Sequence, residues 1–212
     1  MKRASFPLST VRTLAFAAAT FLATLYPASA ADPRTESRID IIGSGSVDIS
    51  ATATGATTER ATWPGTQPAK HIVVKFAADE VWKESSVTIT PSHDGTIYLL
   101  LMGPHVKVSA DTKEIEQIRI CYDNIRTDAA EIRNGSFEDA GGPDKIEGWK
   151  RVDLAPVEPL VTEANGARVE TGSAVDGKCY ASVWHHSRLG QSISVTAGYP
   201  VTITFSYRLD KP

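Results

Sequence analysis

Tyr180, Trp184, His185, His186, Arg188 and Gln191 lie close together in the sequence, and their types suit molecular recognition. A flat aromatic surface covers the apolar face of a pyranose, while planar imidazole, guanidinium and amide groups bond its hydroxyls. If residues 179–184 form a strand, Tyr180, Ser182 and Trp184 share one face and Cys179, Ala181 and Val183 the other. Small apolar residues opposite the aromatics turn Trp184 away from the core. His185 and His186 are adjacent, so they face opposite sides of a strand and make poor joint metal ligands. The competing reading makes the two histidines a strand cap and pairs Arg188 with an acid. Trp63 and Tyr98 are weaker candidates, because the loop of Trp63 is unplaced and Tyr98 sits where a strand interior would bury it.

Catalytic patterns are missing from the sequence. Its acids are plentiful but scattered, so nothing marks the carboxylate pair that glycoside hydrolysis uses. There is no Gly-x-Ser-x-Gly elbow, no His-Glu-x-x-His and no phosphate-cradling glycine loop. Cys179 precedes His185 by six residues, but its strand context reads as packing rather than thiolate chemistry. The chain is expected to be non-catalytic.

Residues 1–30 read as a signal peptide. Lys2, Arg3 and Arg12 precede an apolar run from Leu14 to Leu25, and Ala28-Ser29-Ala30 forms a small-residue cleavage site. The run is too short to span a bilayer comfortably, so membrane insertion is not expected. Removing the leader takes three of the 22 basic residues and no acid, leaving 19 against 25, a net charge of −6. That balance opposes a nucleic-acid partner, which phosphate neutralisation would have to hold. Export to a secreted, periplasmic or extracellular location also exposes Cys121 and Cys179 to oxidation, and one disulfide or two buried thiols are both open.

The remaining punctuation is that of an all-β protein, with short runs of Val, Ile, Thr, Tyr and Phe broken by Gly, Pro, Asp and Asn. Alternation is clearest at 46–51, 87–90, 118–121 and 192–195, which implies sheets with one buried face. Residues 71–76, 96–102 and 200–207 read as central strands. Pro91–Gly95 has the composition of a tight hairpin, 31–38 reads as a loose tail, and 54–69 as a long loop carrying Trp63. Phe137, Trp149 and Trp82 read as core residues.

The order Asn134-Gly-Ser-Phe-Glu138, Gly148-Trp149, Gly177–Val183, Gln191–Gly198 and Val201–Tyr207 resembles the first half of a galactose-binding-like jelly roll. Trp82 through Leu100, ending in Tyr122-Asp-Asn-Ile125, resembles the second half. The halves stand in reversed order, as residues 39–130 and 131–212. Two half-sandwiches would each leave an apolar face bare, so one composite β-sandwich over 39–212 is expected. The resemblance implies a carbohydrate-binding module with a polysaccharide or glycan as partner, either alone or within a larger polysaccharide-degrading protein. It also implies a structural calcium ion near Asp123 and Glu138, where such modules tie their opening and closing strands together. The alternative is a structural or adhesive extracellular β-domain with a protein or cell-surface partner.

Overall fold

Alternating apolar residues should pair strands across two layers, and the computed structural model, which describes residues 32–142, 145–154 and 158–210, has that arrangement. The first six strands are β1 (Glu36–Gly43), β2 (Ile49–Thr54), β3 (Thr57–Arg60), β4 (His71–Ala77), β5 (Lys83–Pro91) and β6 (Gly95–Met102). Six more follow: β7 (Ile120–Thr127), β8 (Lys150–Asp153), β9 (Arg168–Thr171), β10 (Cys179–Val183), β11 (Ser187–Val195) and β12 (Val201–Leu209).

They form two antiparallel six-stranded sheets. The first has the order β3-β4-β1-β6-β11-β8 and the second β2-β5-β12-β7-β10-β9. Strands from before and after residue 130 mix in both, through the pairs β6 with β11, β5 with β12, and β7 with both β10 and β12. The molecule is therefore an all-β sandwich.

Period-two patterning decides what enters the core. On β1, Ile39 and Ile41 point inward and Arg38, Asp40 and Ile42 outward, and the register carries that division to Ile72 and Val74 on β4 and to Leu99 and Leu101 on β6. Between the sheets, Phe76 packs against Tyr207 at 4.2 Å and Phe205 at 5.2 Å between ring centroids. Each fully buried side chain of this kind stabilises the fold by about 2 to 3 kcal/mol. Tyr122 is wholly buried, and its hydroxyl donates to Met102 O at 2.8 Å, so no polar atom is stranded there. Phe137 and Trp149 join the core as expected, with ring centroids 5.3 Å apart and Trp149 Nε1 donating to Asn134 O at 3.1 Å.

Several expectations are corrected. Trp82 is only half-buried, with its indole N–H donating to Ser173 O at 2.7 Å and the Arg208 guanidinium over its ring. Residues 36–38 belong to β1 rather than to a tail, and β3 interrupts the loop foreseen over 54–69. Pro91–Gly95 does turn the chain, but β5 and β6 lie in different sheets, so it crosses the sandwich instead of closing a hairpin. Of the two alternatives open for Cys121 and Cys179, the structure has free thiols, Cys121 buried and Cys179 half-buried. Cys121 faces Ser182 across the sheet, three positions from Cys179, about 10 Å along the strand and beyond disulfide reach. The signal-peptide reading of residues 1–30 lies outside the described residues.

Candidate functional site

The chain passes from β10 in one sheet to β11 in the other through His185 and His186. Trp184 and Ser187 exchange backbone hydrogen bonds of 3.0 and 3.2 Å across this two-residue turn. Glycine at position 103 gives it room, because a Cβ there would stand 2.8 Å from both Trp184 Cα and Ile118 O.

This turn sends the recognition residues in different directions. Trp184 does not face solvent: it is 0 % exposed, and its Nε1 donates to Asn165 O at 2.6 Å. The alternation along β10 is as foreseen, but the face shared by Tyr180, Ser182 and Trp184 is covered. Arg119 seals it, donating to Ser182 Oγ at 3.1 Å, Asn165 O at 2.6 Å and Gly166 O at 2.9 Å. Tyr180 is buried between Trp82, edge-on at 5.8 Å, and the Arg208 guanidinium at 5.0 Å. Gln191 is turned to the backbone of Arg133, accepting its N–H at 2.7 Å and donating to its carbonyl at 2.9 Å. His186 is buried 4.9 Å from the Trp184 ring.

His185 and Arg188 instead meet at a cleft of about 570 Å³ on the outer face of the first sheet. Arg38 and Asp40 reach it from β1, His71 from β4, and Trp63 and His105 from loops, over a floor that includes Leu100. Asp40 is 3 % exposed and accepts from His71 Nε2 at 3.1 Å. The Arg38 guanidinium lies 5.0 Å from the centre of the Trp63 ring, against which His71 packs edge-on at 5.1 Å. Trp63 is thus positioned by two residues of the sheet, and it remains 38 % exposed.

Two histidines here, His185 and His105, have their pKa values pushed below the ordinary imidazole range. Burial, then Arg188, His105, Arg38 and His186, push His185 down to about 2. His105, with its ring 4.5 Å from that of His185, is lowered by burial and by the charges of Arg38, His186, Lys107 and Arg188. A base whose folded pKa is depressed adds its proton first in the unfolded chain. Folding stability is therefore expected to fall as pH drops below 6.5 and on toward pH 2, by up to about 1.4 kcal/mol per pH unit from His185. Urea melts between pH 7 and pH 4 measure that slope, and His185→Gln should flatten it.

Two separate hollows flank the cleft on the same sheet face. Two positions from Leu100 on β6, Tyr98 lies so close over Gly190 that a Cβ at 190 would collide with its hydroxyl. Beside it is a hollow of about 500 Å³ with Arg133, Lys150 and Ser192 at its walls. On the other side of Trp63, a further hollow of about 630 Å³ includes Thr66, Gln67 and Lys70. From β4 to β11 this strip crosses four strands, about 14 Å at sheet spacing.

Asp123 and Glu138 do meet the same loop, but through backbone amides. Asp123 is 0 % exposed; its Oδ1 accepts from Asn124 N–H at 2.6 Å, and its Oδ2 from Val175 and Asp176 N–H at 2.6 and 2.9 Å. Glu138 Oε1 accepts from Lys178 and Cys179 N–H at 2.7 and 2.6 Å. Calcium requires six to eight oxygens, and among the described residues no group of three or more His, Cys, Asp or Glu is placed to hold a metal. These two carboxylates act as loop caps and do not fit the calcium set that the resemblance implies. Thermal unfolding is expected to be the same with and without EDTA, and a fall of several degrees on chelation would contradict this.

Arg38, Asp40, His71 and His105 escaped the sequence reading. The signal was present in β1, where polar 38 and 40 alternate with Ile39 and Ile41. Nothing local marked His71, inside an apolar run, or His105. Comparison with protein-family models, with curated proteins and with solved structures finds no match to this chain.

Proposed function

We propose that the protein is a secreted, non-catalytic carbohydrate-binding domain of the galactose-binding-like jelly-roll type, and that it binds a polysaccharide or glycan along the outer face of the first sheet. One observation carries this reading: Trp63, an indole held by Arg38 and His71 yet 38 % exposed, borders a cleft walled by Asp40, His105, His185 and Arg188. An aromatic surface beside convergent polar groups is the arrangement a sugar ring needs. Tyr98 over Gly190 extends the aromatic surface two positions along the sheet. The strip's several hollows suit an extended chain better than a single compact ligand. Such a domain works alone or within a larger polysaccharide-degrading protein.

Glycan arrays and pull-down on insoluble polysaccharides test it. Trp63→Ala is expected to weaken binding at least tenfold, about 1.4 kcal/mol, with a much smaller fall in stability than Trp184→Ala, because the indole is already 38 % exposed. Unchanged binding in that variant would move the site elsewhere.

A further inference from the structure

The charge inside the cleft is opposite to that of the chain around it. The whole sequence carries a formal charge of −3, yet the cleft holds two arginines, Arg38 and Arg188, against one carboxylate, Asp40. Asp40 is already engaged, with its Oδ2 bonded to His71. Its Oδ1 stands 3.2 Å from Arg38 Nε, close enough for an ion pair but out of line for a hydrogen bond, so both atoms are buried without one.

Arg188 donates its Nε to His185 O at 2.8 Å, which fixes the plane of its fork. Among the described residues, the terminal guanidinium nitrogens of Arg38 and Arg188 have no hydrogen-bond acceptor. A buried atom with no partner lies beside them: His185 is 8 % exposed and its Nδ1 has none. Buried polar groups are nearly always satisfied, so the unpartnered His185 Nδ1, beside two guanidinium forks with donors to spare, points to a polar guest in this cleft. The positive surroundings also act on His105, where Arg38, Lys107 and Arg188 all oppose protonation.

We propose that this cleft selects negatively charged saccharides, holding the carboxylate or sulfate of one sugar between Arg38 and Arg188 while Trp63 meets its ring. The inference rests on the carbohydrate-binding reading and adds the class of sugar. A guanidinium presents planar paired donors that match an oxyanion, which an ammonium does not. His185 Nδ1 is left for a neighbouring hydroxyl.

The test measures binding of the full chain to a panel of polyuronates, the same polymers with each carboxyl reduced to a hydroxymethyl, and sulfated neutral polysaccharides. At least one polyuronate or sulfated polymer is expected to bind tenfold or more tightly than its uncharged counterpart, with the advantage shrinking in high salt. Arg38→Gln should erase that preference, and Asp40→Asn, which removes the competing carboxylate, should increase it. If Arg38→Gln does not fold, Asp40→Asn and the salt series carry the decision. The uronate and sulfate arms identify which anion is read. Equal binding of charged and uncharged forms overturns the inference and leaves the carbohydrate reading standing. Binding to none of the panel and to no neutral glycan on the arrays overturns both.

Discussion

Trp184→Ala is expected to lose about 4 kcal/mol of folding stability, the cost of emptying a wholly buried aromatic site. Its Nε1 also donates to Asn165 O, an acceptor that Arg119 shares at 2.6 Å, so the cover over β10 loosens with it. A loss of that size is a large fraction of the stability of an ordinary domain. Urea denaturation at neutral pH measures it. Trp184→Phe should retain much of the packing and lose less. Any folded fraction of Trp184→Ala should still bind glycan, because the indole lies outside the cleft. Wild-type stability in Trp184→Ala would show that position 184 is not the tightly packed site its burial implies.

Asp40→Ala is expected to cost about 3 kcal/mol, at the lower end for removing one partner of a buried charge pair. Asp40 is nearly fully buried, and its loss strands His71 Nε2 and leaves the Arg38 guanidinium without a counter-charge. The Arg38 side chain keeps 23 % of its surface in water, which moderates the penalty. Asp40→Asn keeps an acceptor for His71 and should cost less. Chemical denaturation of the two variants at pH 7 gives the order. If Asp40→Ala matches the wild type, the cluster on β1 and β4 is not an interdependent one.

The fold was legible where the sequence carried a period. Residues 71–76, 96–102 and 200–207 form strands as read, because Val, Ile, Leu and Phe recur at a spacing that only a pleated chain can bury. Pro91–Gly95 shows the limit of local chemistry: its residues specify a turn, but only the sheet partners decide that β6 leaves the sheet of β5. Trp184 shows another. Its place in the alternation was right, and its burial was not, because Arg119 and the 165–166 carbonyls cover that face from far along the chain. Sequence parity separates two faces without saying which is covered. The cleft was half visible for the same reason. The local pattern marks His185 and Arg188, but it gives Arg38 the look of a tail residue and Trp63 that of a loop residue without a partner, and only the register of β1 with β4 brings Arg38 and His71 to one surface.

The chain has four tryptophans, and each indole N–H gives its own nitrogen-correlated NMR signal. Titration with the tightest-binding glycan from the panel addresses the central claim most directly. The Trp63 signal should move in step with ligand added, while those of Trp149 and Trp184, sealed by their bonds to Asn134 O and Asn165 O, stay in place. Movement of the Trp184 signal with a stationary Trp63 would contradict a binding face on the first sheet.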